Sequence, residues 1–168
     1  KSFRRWIETV RRHCDQALCI SDQVAGDLRA RFGANAPRPA IGRIHLAGDI
    51  EASRPSLGLD AETAKIIEAV RQRPTVLMVG TVEPRKGYDV ALAAFDHLWR
   101  HSGDDAPALA IVGKRGWKTE ELQSRIRGHK EHGRRLFWLD DASDEALTQL
   151  YREGRAGLFT SWGEGFGV

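Results

Sequence analysis

Two hydrophobic rhythms alternate along the chain. Phe3, Trp6, Ile7, Val10 and Cys14 recur at helical spacing, with Arg4, Arg5, Arg11 and Arg12 between them, and predict an amphipathic opening helix. The run Ala17-Leu18-Cys19-Ile20 predicts a strand, and Ser21 the N-cap of the next helix. That helix carries Val24, Leu28 and Phe32 at intervals of four and stops at Gly33, a residue suited to a C-cap. Residues 41–46 read as a second strand, closed by Ala47-Gly48-Asp49, so the chain opens as α-β-α-β. Residues 51–58, with Pro55, are the best linker, and a helix through Ile66, Ile67 and Val70 ends before Pro74.

From there the alternation is regular. Thr75-Val76-Leu77-Met78-Val79 is a continuous apolar run, the mark of a strand buried on both faces. A helix over residues 86–100 is expected to turn Val90, Ala94 and Leu98 inward. Residues 108–112 form a second buried strand, a polar helix follows around Leu122 and Ile126, and residues 136–139 form a third strand. Ser143 caps a helix bearing Leu147, Leu150 and Tyr151, with Asp144 and Glu145 at its positive end. Residues 156–160 are the fourth strand. This order predicts an α/β fold: a Rossmann-like parallel sheet with helices on both faces. Ligands of such sheets bind beyond the carboxyl ends of the strands, so the chemistry belongs in the strand-to-helix loops.

Composition narrows the class. With 168 residues, 26 Lys+Arg against 23 Asp+Glu and 41% hydrophobic residues, the chain can bury a core and carries only a mild positive bias. That bias, interspersed with acids, argues against nucleic acid as a partner. No apolar run approaches the ~18–20 residues a membrane-spanning helix needs, and the basic start lacks a signal-peptide core. Cys14 and Cys19 have no CxxC spacing and fit a reducing compartment, which points to a cytoplasmic location.

Three loops carry candidate chemistry. In residues 80–87, Gly80 permits a tight turn, Thr81 follows it, and Arg85 and Lys86 sit where the helix begins. A helix N-terminus favours anions, and two adjacent cations suit a phosphate or diphosphate; a solvated Arg-Lys pair is the competing reading. The loop is not a Walker A, because Arg85 and Gly87 stand where Gly and Ser/Thr are required. After the second strand, Lys114 and Arg115 lie between Gly113 and Gly116. After the fourth, Glu164 lies among Gly163, Gly165, Phe166 and Gly167, offering a carboxylate to sugar hydroxyls or simply an exposed turn.

Together these loops resemble the nucleotide-binding half of GT-B-fold, retaining glycosyltransferases of family 4. VGTVEPRKGYDVALAAF (79–95) resembles the family's first strand, phosphate loop and helix. LAIVGKRGW (109–117) resembles its second strand and loop, and residues 136–168 the stretch ending in its Glu-x-Phe-Gly signature. The segments 19–32 and 43–50 resemble its last β-α-β before the interdomain crossing. The resemblance implies residues 1–50 as the end of an N-terminal acceptor domain, 51–73 as linker and helix, and 74–168 as a truncated donor-binding domain.

It further implies Arg85 and Lys86 on the donor diphosphate, an electrostatic role in place of a metal, and Glu164 on the donor sugar. Gly165, Phe166 and Gly167 would offer backbone N–H groups; Leu139, Asp140 and Asp141 lie where the base is met. An Asp there can accept from guanine, so a GDP-sugar, plausibly GDP-mannose, is the expected donor, with no further cofactor. The acceptor is expected to be a glycan or a lipid-linked sugar. The second Glu of the family's Glu-x7-Glu motif falls four residues past Val168, so the chain is expected to be an internal piece of a longer enzyme, inactive alone. The alternative is a nucleotide-sugar-binding module without catalysis.

Other features weigh less. There is no Asp-x-Asp, and His129 with His132 lack a third ligand, so no metal is expected. Trp117, Trp138 and Trp162 near strand ends are read as packing residues. Trp6, Ile7 and Val10 are expected to pack on the neighbouring sheet; the second reading lays the basic opening helix on an anionic membrane, at the inner face of the plasma membrane.

Overall fold

The structure, a computed structural model, describes residues 2–33, 39–46 and 58–165. The chain divides into two units, Lys1–Gly48 with Glu164–Val168, and Asp49–Gly163.

In the first unit, α1 (Ser2–His13), β1 (Gln16–Cys19), α2 (Asp22–Phe32) and β2 (Ala40–Arg43) follow in order. The two strands pair in parallel, from Gln16 with Ala40 to Cys19 with Arg43, and Ile44 adds its N–H to the Cys19 carbonyl at 2.9 Å. Strand β2 is therefore shorter than the apolar run suggests; residues 47–49 and the linker over 51–57 lie outside the described residues. Ser21 caps α2 by accepting from the Val24 N–H at 3.2 Å, and Gly33 closes it at φ +91°, where a β-carbon would be strained. Helix α1 buries Ile7, while Phe3 and Trp6 stay 68% and 58% exposed, their rings 5.8 Å apart. Trp6 thus departs from the expected packing: one residue along a helix is a rotation of roughly 100°, which takes it off the edge that Ile7 buries.

The second unit holds α3 (Ala61–Gln72), β3 (Thr75–Val79), α4 (Tyr88–His101), β4 (Ala108–Val112), α5 (Glu120–Arg127), β5 (Leu136–Leu139), α6 (Asp144–Glu153) and β6 (Ala156–Gly157). Its four strands are all parallel, in the order β5-β4-β3-β6. Every residue of β4 is buried. Leu109 and Ile111 face Leu92, Phe95 and Trp99 of α4 and Ile126 of α5. Ala108, Ala110 and Val112 face Ile67 and Val70 of α3 and Ala146 and Leu150 of α6. A continuous apolar strand is what a two-sided burial requires, and each large side chain removed from water contributes about 1.5–3 kcal/mol.

Helix α4 corrects one expectation. It buries Tyr88, Ala91, Leu92, Phe95 and Trp99, and leaves Val90 and Leu98 48% and 37% exposed. Both stripes have helical spacing; the one with three aromatic rings removes more apolar area and faces the sheet. Strand β6 is only two residues long, though Leu158 still donates to the Leu77 carbonyl at 2.8 Å.

Charged groups close the amino end of this sheet. Arg135, just before β5, grips Glu131 with Nε and Nη2, both at 2.8 Å, with both side chains buried. Arg135 also donates to the Gly103 carbonyl, its guanidinium 5.7 Å from the Trp99 ring. His129 Nδ1 accepts from the Glu131 N–H at 3.1 Å, so Nε2 carries the proton and donates to Asp96 at 2.8 Å.

Candidate functional site

At the carboxyl end of the sheet the strand-to-helix loops are laced together. Gly80 donates to the Val112 carbonyl and Val82 to the Lys114 carbonyl, both at 2.9 Å, so the β3 and β4 loops prolong the parallel ladder. The buried Thr119 hydroxyl donates to the Val82 carbonyl at 3.0 Å. Glycine is required here by contact: a methyl on Gly113 would overlap the Gly80 carbonyl, and one on Gly116 the Val82 carbonyl.

The loop after β5 joins them. Gly113 donates to the Leu139 carbonyl at 2.9 Å, and Trp138 Nε1 to the Gly113 carbonyl at 2.9 Å. Asp140 Oδ2 accepts from Arg115 Nε at 2.7 Å and Arg127 Nη2 at 2.8 Å. The Arg115 hydrogen bond above all holds the Asp140 carboxyl below its ordinary pKa. The segment after β6 is tied on by Thr160, whose hydroxyl lies 2.8 Å from the Lys86 carbonyl and 3.0 Å from that of Gly87, and by the Trp162 N–H, 2.9 Å from the Arg85 carbonyl.

Arg85 and Lys86 do not begin the α-helix. They lie on a 3-10 turn, Pro84–Lys86, and α4 begins at Tyr88 after Gly87 at φ +66°. Pro84 fixes the start of that turn, and the left-handed Gly87 interrupts helical geometry before α4 takes over. The N-cap of α4 is Gly87, which has no side chain to cap the helix. Lys86 folds back over Gly80: a methyl there would lie 3.7 Å from both the ammonium nitrogen and the Tyr88 hydroxyl, which itself donates to the Gly80 carbonyl at 2.6 Å. Arg85 is half exposed, its Nε 3.2 Å from Glu83 Oε2.

Gly80, Thr81, Arg85, Lys86, Lys114, Arg115, Asp140 and Asp141 are thus gathered on one rim. Leu139 contributes backbone to it, since its side chain is in the core. Lys114 is exposed, whereas Arg115 is turned towards Asp140. Glu164 and Gly165 group with the first unit, where a methyl on Gly165 would lie 2.9 Å from Ile20 Cδ1. Phe166 and Gly167 lie outside the described residues. Trp138 packs as expected; Trp117 and Trp162 are 58% and 80% exposed instead. Tyr88, Thr160 and Arg127 are contributors that pattern alone passed over. Tyr88 at the head of an apolar helix was a readable signal; Thr160 and Arg127 had none.

Among the described residues no three His, Cys, Asp or Glu are grouped to hold a metal ion, and no helix is long and apolar enough to cross a membrane.

Residues 60–168 match the family described as glycosyl transferases, group 1. The chain belongs to that family. This group 1 glycosyltransferase chain is 39% identical over its whole length to the serotype-specific mannosyltransferase WbdA of Escherichia coli, covering 21% of it. Over 55% of its length it is 35% identical to the E. coli O-antigen chain mannosyltransferase B, covering 24% of that protein. It thus spans about a fifth to a quarter of the curated relatives it matches. Among solved structures it resembles one described as trehalose-6-phosphate from E. coli bound with UDP-2-fluoro glucose, with a TM-score of 0.66. That match has 12% identity and covers 98% of this chain and 43% of the other; it establishes a shared α/β, Rossmann-like fold.

Proposed function

We propose that the chain is the donor-binding part of a transferase that moves a sugar, mannose in this reading, from a nucleoside diphosphate to a glycan or lipid-linked acceptor. The carrying observation is the rim itself: Lys86 and Arg85 stand directly before the start of α4, at the carboxyl ends of parallel strands. Cations at the N-terminus of a helix stabilise the negative charge that develops on a departing diphosphate. The mannosyltransferase relatives support the choice of sugar.

In this proposal the two cations act in place of a metal, and transfer proceeds with retention. The new bond forms on the face the leaving group vacates, and a diphosphate oxygen accepts the acceptor's proton. Glu164 orients donor hydroxyls, with Gly165, Phe166 and Gly167 beside it. The loop at residues 139–141 meets the base, for which guanine is preferred. Residues 1–50 belong to the acceptor side and residues 74–168 to the donor side. The exposed Phe3 and Trp6 beside Arg4 and Arg5 support contact with an anionic membrane. Co-sedimentation with anionic vesicles at low salt tests that contact, and a protein left wholly in the supernatant ends it.

Lys86→Ala tests the central assignment in the complete enzyme. Turnover is expected to fall about 10²–10³-fold, the range for removing one group that stabilises developing charge; unchanged turnover would end the role given to Lys86.

A further inference from the structure

Asp140 stands where a base-reading carboxylate is expected, yet its Oδ2 is engaged by two arginines of its own chain, at 2.7 Å from Arg115 and 2.8 Å from Arg127. Arg127, in the last turn of α5, also lies 4.7 Å over the Trp138 ring, and Trp138 Nε1 donates to the Gly113 carbonyl. These contacts close a circuit through Gly113 and Arg115 after β4, Asp140 after β5, Arg127 on α5 and Trp138 on β5. The neighbouring Asp141 is exposed and, among the described residues, joins no hydrogen bond or ion pair.

We propose that Asp140 is a positioning residue: it ties Arg115 and Arg127 together so that the β4 and β5 loops keep one spacing for a nucleoside diphosphate. This rests on the donor-site reading above. Two guanidinium groups around one carboxylate leave the three-residue cluster with a net positive charge while removing rotamer freedom from a long, exposed arginine. Asp140 therefore acts on the ligand through Arg115 and the loop backbones and reads no base; Asp141 is left to face one.

The test is a double-mutant cycle in the complete protein, read by calorimetric titration with GDP, UDP and ADP. Asp140→Asn keeps the shape and removes the charge; Arg127→Ala removes a partner from the far side of the circuit. Each variant is expected to weaken all three nucleotides by the same factor, about fivefold to tenfold, and the double variant to be no worse than either, as for groups acting as a unit. Arg127→Lys, with charge but no fork, should give an intermediate loss. In the ligand-free protein, amide exchange at residues 113–117 and 138–141 should quicken in each variant while β3 and β4 remain protected. Loss confined to one base, additive effects, or unchanged exchange in both loops would overturn the proposal. No nucleotide binding by the unaltered protein would instead overturn the donor-site reading and the proposed purpose with it; the exchange measurement separates those two failures.

Discussion

The two ends of the four-stranded sheet both carry charge and treat it in opposite ways. At the amino end Glu131 and Arg135 are buried against each other, with His129, Asp96 and the Gly103 carbonyl completing the set. The two buried charges, Arg135 and Glu131, offset each other. At the carboxyl end Arg85, Lys86, Lys114 and Arg115 sit on exposed or half-exposed loops, with Arg85 near Glu83 and Arg115 on Asp140. The same residue types are thus paired out of water at one end and set on an exposed rim at the other. Burial and partner count, more than residue type, separate a structural charge from a functional one.

Substitutions at the two ends should fail in different ways. Glu131→Ala leaves the Arg135 guanidinium buried without its anion and is expected to cost about 3–5 kcal/mol in a urea titration, with the rim's nucleotide affinity unchanged in the folded protein. A cost below about 1 kcal/mol would make that pair no more than a surface bridge.

At the rim, Gly113→Ala pushes a methyl into the Gly80 carbonyl, backbone against backbone. It should cost about 2 kcal/mol of stability and weaken nucleotide binding as well, because it parts the β3 and β4 loops. Wild-type affinity in that variant would show that the lacing of the loops is irrelevant to the ligand.

Acid separates the ends further. The Glu131 carboxyl is lowered from 4.5 to about 2, chiefly by its hydrogen bond with Arg135. A depressed carboxyl contributes stability that is fully present above its unfolded pKa and lost as pH falls through the folded value. The loss should therefore run from about pH 4.5 down to about 2, and Glu131→Gln should flatten that part of a stability–pH profile. An unaltered acid limb in the variant would assign the loss to other carboxyls.

Thr160→Ala is the mildest change. It removes the hydroxyl shared by the Lys86 and Gly87 carbonyls and should cost about 1 kcal/mol, with a small drop in affinity.

Most of the fold was legible because parallel strands buried on both faces announce themselves: β3, β4 and β5 lie on their apolar runs, and Ser21 and Ser143 cap as their positions suggested. The face of α4 was not legible, since Val90-Ala94-Leu98 and Leu92-Phe95-Trp99 are both helical stripes and only packing chooses between them. The place of Gly80, Arg85 and Lys86 on the loop after β3 could be read from the sequence. The partner of Arg115 could not, because its pairing with Asp140 joins residues 25 apart through the sheet order β5-β4. Tyr88 was readable as the head of an apolar helix, but its double duty was not: its ring is in the core and its hydroxyl donates to the Gly80 carbonyl.

The central claim is that the rim around Arg85 and Lys86 holds the diphosphate of a sugar donor. Calorimetric titration of the protein with GDP, UDP and ADP, repeated with the Arg85→Ala/Lys86→Ala variant, tests it most directly. The account predicts binding with GDP preferred, and its loss in the variant without a change in thermal stability. Binding that survives removal of both cations would contradict it.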